Sequence, residues 1–235
     1  CALPISLPDP VPLYPMPFTR VEVVTQGVVE KRLSVLLIRR TTAPYAGHWA
    51  LPGGALRIDL DDSLHAAARR VLQERLGVEG PRLTQLEATG GPDRDPRAPW
   101  TLSVVYRALV PAAAYAPSAG KRVGEITWMD VDRLDSLAPL AFDHRVLIDR
   151  AVAAVRGEVD GMRLPFHCFA EHFTLGELQE ACEQLLGRPL DKSSFRRRLA
   201  DRHLVEPVAG ARRGGAFRPA QLYRAVREAA DTASA

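Results

Sequence analysis

From Val21 onward, short apolar and β-branched runs alternate with polar breaks. Val21-Glu22-Val23-Val24 and Leu33-Ser34-Val35-Leu36-Leu37-Ile38 flank Gln26-Gly27-Val28, which predicts strand, turn, strand. Residues 101–106 and 126–129 read as further strands. Elsewhere the period lengthens. Leu64, Ala67, Ala68, Val71, Leu72 and Leu76 recur at helical spacing, so a helix is predicted over 63–76. Asp61, Asp62 or Ser63 caps it and Gly77 stops it. A second helix is predicted over about 143–156, with Val146, Leu147, Ala151 and Val155 on one face. Strands and helices mixed over about 140 residues predict one α+β or α/β sandwich domain.

The texture differs at both ends. Residues 1–17 hold six prolines, which exclude a helix or central strand and predict an extended arm. Gly157 to Gly161 is polar and bracketed by glycine, so the domain boundary is placed there. The expected division is an arm over 1–17, a sandwich over 18–157 and a small domain over 162–235. In that small domain Thr174-Leu175-Gly176-Glu177 is a capping box that opens a helix. Gly187-Arg188-Pro189-Leu190 makes the turn, and Asp191 caps a second helix with Phe195 and Leu199 inward. Two helices joined this way form the helix-turn-helix pattern. A hairpin is expected next, its arms at 205–208 and 216–218 around a Gly/Arg tip, and then a final helix over 221–230.

Composition excludes several classes. The chain has 235 residues, 46% of them hydrophobic and 25% charged, which argues against general disorder and fibrous repeats. No apolar run reaches the roughly 18 residues that span a bilayer, and no basic-then-apolar leader is seen. A chain that starts at Cys1 rather than Met is expected to have been trimmed. Cys1, Cys168 and Cys182 are too scattered for a disulfide framework or a zinc site, so a reducing cytoplasm is expected. Cys168 and Cys182 read as small apolar core residues.

The net charge of +3 speaks against a strongly basic nucleic-acid binder until it is divided. Residues 1–161 are neutral, with 19 basic and 19 acidic side chains. Within 188–218 nine basic residues face three acidic ones, giving +6 over the second helix and the hairpin tip. A basic helix and wing on a helix-turn-helix predict binding to double-stranded DNA, with a solvated basic surface as the plainer alternative. Ser193, Ser194 and Arg197 lie where a recognition helix reads base edges. Lys192, Arg196, Arg212, Arg213 and Arg218 are candidate DNA contacts beside them, the first four to phosphates. Arg198 sits nearer the core edge, where pairing with an acid is an equal reading.

The larger domain carries a second signal. Trp49-Ala50-Leu51-Pro52-Gly53-Gly54, Asp62, Ala67-Ala68-x-Arg70 and Glu74-x-x-Gly77-Val78 resemble the Nudix box. Active members place helix glutamates around a divalent metal behind a Gly-Gly loop. Here seven residues rather than five separate Gly54 from the acid at Asp62, and seven more lead to Arg70. The three metal-site acids fall at Val71, Glu74 and Arg75, so Glu74 alone remains as a metal candidate. Mg²⁺ needs several oxygen ligands, and Arg75 adds a repelling cation. Without metal, neither water activation nor leaving-group stabilisation follows. Fixed charge at Arg40, Arg70 and Arg75 still suits a pyrophosphate.

A degenerate box joined to a terminal winged helix resembles the Nudix-related transcriptional regulators of NAD metabolism, the NrtR family. The resemblance spans about residues 20–225. It also rests on Asp93-Arg94-Asp95-Pro96-Arg97, Leu140-Ala141-Phe142-Asp143-His144-Arg145, Phe173-Thr174-Leu175-x-Glu177-Leu178, Phe195-Arg196-Arg197 and Arg218-Pro219-x-x-Leu222-Tyr223. The implied fold is a Nudix-like α/β/α sandwich followed by a winged helix-turn-helix. The implied protein is a cytoplasmic homodimeric repressor of NAD biosynthesis or salvage genes, responsive to ADP-ribose or a related NAD metabolite. It requires no cofactor, and Mg²⁺ enters only with residual hydrolysis. Ser193-Ser194 stands where the family tends to carry Arg-Asn. Arg40, Trp49, Gly53, Gly54, Arg70, Glu74, Arg75, Arg97 and His144 are the candidate effector contacts. Several have a plainer reading beside this one. Trp49 and Trp100 suit adenine stacking or the core, and His144 an effector contact or a cap network around Asp143. Arg94 and Arg97 suit a phosphate or a solvated loop. Two rival functions share the architecture: an active ADP-ribose pyrophosphatase and a sugar-responsive regulator.

Overall fold

The computed structural model describes residues 16–79, 81–136, 139–214 and 219–226. The predicted arm falls mostly on residues 1–15, outside the described residues. Two long apolar runs become β1 (Phe18–Val29) and β2 (Arg32–Arg40), paired antiparallel. The Gly/Pro-rich stretch supplies two short strands, β3 (Trp49–Ala50) and β4 (Gly53–Ala55). Helix α1 (Leu64–Leu76) follows, then β5 (Thr84–Gly91), β6 (Thr101–Leu109) and β7 (Val123–Asp130). The central path runs β3-β2-β1-β6-β5, with β4 paired to β1 and β7 to β2. Among the described strands only β1 and β6 pair in parallel.

Strand alternation distributes the core over both faces. Val21, Val23, Leu36, Ile38, Val104 and Tyr106 meet Ala67, Ala68, Val71, Leu72 and Leu76 of α1. Val24, Val35, Leu37 and Val105 meet Leu147, Ile148, Ala151 and Val155 of α2 (His144–Asp160). The expected α/β/α sandwich is therefore present. Ser63 caps α1 through its hydroxyl, which accepts from the Ala66 N–H at 3.0 Å. Gly77 ends the helix at φ 63°, a left-handed conformation that favours glycine.

The second unit continues the same core. Phe166, Phe173, Leu178, Leu185, Phe195 and Leu199 join the cluster that contains Val24 and Leu147. Its elements are β8 (Phe173–Thr174), α3 (Leu175–Leu186), α4 (Lys192–Asp201), β9 (Val205–Arg213) and β10 (Ala220–Ala225), with sheet order β8-β10-β9. Both reciprocal bonds of the capping box form, Thr174 N–H to Glu177 at 2.8 Å and Glu177 N–H to Thr174 at 3.1 Å. Asp191 caps α4 through the Ser194 N–H at 2.7 Å.

Two expectations are corrected. Residues 157–160 are not a break, because α2 continues to Asp160. A side chain at Gly157 would meet open space, and buried Val155 and Val159 keep the helical period across it. Residues 221–225 are strand, not helix. Leu222 and Tyr223 pair with β8, while Ala220, Gln221, Tyr223, Arg224 and Ala225 pair with β9. Two hydrogen-bonding neighbours outweigh the weak helical preference of so short a segment. The described returning arm of the wing is β10. Residues 215–218 and 227–235 lie outside the described residues.

Candidate functional site

The first site forms where β1, β2, β4 and the end of α1 converge. Arg20, Arg40, Arg75, Arg97 and Arg122 line one pocket with Leu51, Gly53, Gly54 and Ala55. Close approach explains the two glycines. A Cβ on Gly54 would sit 3.0 Å from Val71, and one on Gly53 would sit 3.2 Å from Glu22. Arg75 leaves the last turn of α1 and donates to the carbonyls of Gly53 at 3.2 Å and Lys121 at 2.5 Å. Arg40 likewise bonds only backbone, the carbonyls of Pro44 at 2.8 Å and Thr42 at 3.3 Å.

Against these five cations stand two buried carboxylates. Glu22 accepts from Arg20 at 2.8 Å. Asp95 accepts from Arg20 at 3.1 Å and from Arg97 at 2.5 Å. Burial works against ionised Asp95, but the Arg97 hydrogen bonds and the Arg20 charge outweigh it and hold the carboxyl below its ordinary value. The cations remain in excess. Burial first, then the Arg20, Arg97 and Arg75 charges, pushes Arg40 down to about 10. Burial and the neighbouring Arg122 lower Arg75 as well. Such crowding of like charge in a concave site suits a polyanion. The Phe142 ring spreads beneath three of the guanidiniums, 5.1 Å from Arg20, 5.1 Å from Arg40 and 6.0 Å from Arg97. Phe142 holds φ at 56°, an uncommon backbone conformation for a bulky residue.

Several candidate residues play other parts. Arg70 bonds Asp61 twice, at 2.7 and 2.8 Å, and the Ala55 carbonyl at 3.0 Å. Glu74 lies 3.4 Å from the same guanidinium. Arg70 is thus saturated away from the pocket. The box carboxylate that reaches it is Asp61, whereas Asp62 is exposed. Val71, at one metal-site position, is buried beneath Gly54. Trp49 packs on the core and does not line the pocket. His144 is 1% exposed, and its Nδ1 accepts the Leu51 N–H at 2.9 Å. Burial and the Arg20, Arg40 and Arg94 charges keep its pKa well below 6.5, so it stays neutral. It positions the 51–54 loop from behind. Arg94 bonds Asp143 at 2.7 and 2.8 Å, which occupies the carboxylate expected to cap α2. Trp100 is exposed over Gly90.

Sequence reasoning missed Arg20 and Arg122. Arg20 and Glu22 share one face of an otherwise apolar strand, a pattern that signals a buried ion pair. Arg122 follows Lys121 in a basic loop and adopts φ 62°.

The second site is on α4 and β9. Lys192, Ser193, Arg196, Arg197 and Arg212 are exposed, while Ser194 is half-buried. Four other cations of this basic segment are engaged within the fold. Arg188 pairs with the Asp160 carboxylate, Arg198 donates to the Asp160 carbonyl, and Arg202 donates to the Gly161 carbonyl at 2.7 Å. Arg213 pairs with Glu177 and donates to the His172 carbonyl at 3.3 Å, so it anchors the wing to α3. Arg218 lies outside the described residues. Among the described residues no helix is long and apolar enough to cross a membrane.

Known proteins match both units. The family model for the NUDIX domain matches residues 19–151, and that for the NrtR DNA-binding winged helix domain matches residues 165–225. The ADPR responsive transcriptional repressor NtrR of Acinetobacter baylyi is 36% identical over 211 residues, covering 90% of this chain and 83% of that protein. An ADP-ribose pyrophosphatase of Methanocaldococcus jannaschii is 32% identical over 126 residues, covering 54% of this chain and 70% of that protein. Shewanella oneidensis NrtR, solved with a 27mer DNA, superposes with TM-score 0.72 at 33% identity, over 92% of this chain and 96% of that one. The NUDIX domain of the same protein, solved with ADP ribose, superposes with TM-score 0.56 at 32% identity, over 60% of this chain and 90% of that one.

Proposed function

The chain belongs to the family that joins a NUDIX domain to an NrtR DNA-binding winged helix domain, and from that premise we propose how it works. It is a transcriptional repressor that binds operator DNA through the winged helix and responds to ADP-ribose. The regulated genes are those of NAD biosynthesis or salvage. A pyrophosphate lodges among Arg20, Arg40, Arg75, Arg97 and Arg122, against the Gly53-Gly54 backbone. The observation that carries this is the excess of guanidinium over carboxylate in that pocket.

Binding proceeds without hydrolysis. The residues at the box do not fit Mg²⁺: Glu74 sits against Arg70, Val71 is apolar and buried, and Arg75 is a cation. Octahedral coordination by several oxygens has no basis there. Fixed guanidiniums take the place of the metal in neutralising the two phosphates.

Helix α2 links the two sites. At its start His144 holds Leu51 and Asp143 holds Arg94. At its end Asp160 and Gly161 receive Arg188, Arg198 and Arg202 from the helix-turn-helix. Its 17 residues give a rod of about 25 Å. An effector that moves the 51–54 loop tilts this rod and with it α4. In a dimer, two such helices must fit successive turns of an inverted repeat. A tenfold change in occupancy requires a differential affinity of about 1.4 kcal/mol between the two arrangements.

The test is fluorescence anisotropy of the full chain on operator DNA selected from genomic fragments. ADP-ribose should move the DNA-binding midpoint at least tenfold, and Arg40→Gln should displace that response to at least tenfold higher ADP-ribose while leaving DNA affinity without effector intact. An unmoved midpoint across the ADP-ribose titration overturns the reading.

A further inference from the structure

A second basic pocket lies at the joint between the two units, away from the arginine cage. Arg82 and Thr84 reach it from the start of β5, Arg107 from β6, Glu158 from the last turn of α2, and Arg163 and His167 from the segment leading into the winged helix. On β6, Arg107 lies four residues beyond Ser103, the partner of Arg20, or about 13 Å along the strand. The two pockets therefore share no residue and stand well apart.

The pocket is unbalanced in the same sense as the cage. Arg107 pairs with Glu158, its one carboxylate. Among the described residues neither Arg82 nor Arg163 has a carboxylate partner. Arg82 Nη2 is buried and meets no acceptor among the described residues. A buried donor without an acceptor carries a desolvation penalty, which a ligand oxygen there recovers. The His167 Nε2 lies 3.1 Å from the Leu109 carbonyl, and the ring forms one wall. The space is about 120 Å³, well above the roughly 10–15 Å³ needed to hold one water, so a small oxyanion has room.

We propose that this joint is a second anion site, which takes a small phosphate-class oxyanion among Arg82, Arg107, Arg163 and His167. The ligand oxygens accept from the orphaned Arg82 donor and from Arg163, and they balance the cation excess that Glu158 leaves. Because Arg163 and His167 belong to the link between the units while Arg82 and Arg107 belong to the sheet, the anion ties the link to the sheet. It is a tether at the joint that the ADP-ribose response must act across. The site stands independently of what occupies the cage.

His167 reports on it directly. Packing against the pocket wall, and then the Arg82 and Arg107 charges, hold the imidazole below its ordinary value, with the Leu109 carbonyl working in the opposite sense. A bound dianion raises that value. The experiment is a titration of the full chain, at constant ionic strength, with inorganic phosphate and separately with AMP, followed by NMR of the His167 ring. The expected result is a saturable shift of the His167 resonances and a rise in its apparent pKa. That shift should be retained in the cage variant Arg40→Gln and weakened at least tenfold in Arg82→Gln and in Arg163→Gln. Saturation by phosphate identifies the free ion as the source, and tighter saturation by AMP identifies a nucleotide phosphate. Arg163 is exposed, so Arg163→Gln keeps the test valid if Arg82→Gln does not fold. His167 resonances unmoved by either probe, or a response unchanged in Arg163→Gln, overturn the proposal.

Discussion

Replacing Arg40 with glutamine should separate stability from recognition. At Arg40 the lowering from 12.5 to about 10 corresponds to roughly 3 kcal/mol of unfavourable environment at face value. Its open flank screens this to about half. The substitution relieves that term and loses two hydrogen bonds to backbone carbonyls, each worth about 1 kcal/mol. The two effects nearly cancel, so the effector-free protein should keep its stability within about 1 kcal/mol. Effector binding has no such compensation. A charge-assisted contact to phosphate is worth about 1.5–3 kcal/mol, so the ADP-ribose Kd should rise by roughly 10- to 150-fold. Urea denaturation reads the first quantity and isothermal titration calorimetry the second. A Kd within threefold of the original removes Arg40 from the site. A stability loss above about 3 kcal/mol makes it a structural strut and refutes the charge-crowding argument.

Other consequences follow from the same geometry. His144 is neutral in the fold, with its pKa well below 6.5, while the unfolded chain takes up a proton near pH 6.5. Stability is therefore complete above that pH and falls as the pH drops below it, by up to about 1.4 kcal/mol per unit from this group. In pH-dependent urea melts His144→Gln should flatten the slope, leaving the His167 part; an unchanged slope contradicts the assignment. Among the described residues Lys192, Arg196 and Arg212 are the exposed cations assigned to phosphates, with Arg197 on base edges. Each bound winged helix should therefore contribute a salt slope of about −3, whereas engagement of Arg188, Arg198, Arg202 and Arg213 as well would give about −6. Burial pushes both Cys168 and Cys182 up to about 12, so about one in ten thousand of each is thiolate at pH 8. Neither should react with iodoacetamide in the native protein at a rate above that of unfolding.

The sandwich was legible because its strands and helices keep clean periods. Val35, Leu36, Leu37 and Ile38 divide between two faces, and α1 shows its stripe and its glycine stop. The edge strand β5 lacks that contrast, with half-buried and exposed positions and none fully buried, and carries little apolar signal. Residues 221–225 misled because their strand pairing depends on β8, almost fifty residues away. In the candidate site, chemistry on contiguous motifs was readable and chemistry from distant ones was not. Gly53, Gly54 and Arg75 announced themselves through the box, and Arg97 through its loop. Arg20 and Arg122 join them through sheet pairing and a left-handed turn; the Arg20–Glu22 alternation signals an ion pair but not the pocket it borders. Arg70 and Arg213 show the converse. Each stands in a suggestive place, yet an acid nearby in space already holds it: Asp61 for Arg70, Glu177 for Arg213. Counting charge along a segment overstated the number of unengaged cations, because Arg188, Arg198, Arg202 and Arg213 bond within the fold.

On this reading guanidinium charge takes the place of metal in recognising a pyrophosphate. Calorimetric titration of ADP-ribose into the full chain in EDTA, with ³¹P NMR of the mixture before and after Mg²⁺ is added, tests it most directly. Saturable binding in EDTA, no tightening with Mg²⁺, and ADP-ribose intact throughout are expected. Binding that vanishes in EDTA, or AMP and ribose 5-phosphate appearing at enzymatic rates once Mg²⁺ is present, would contradict it.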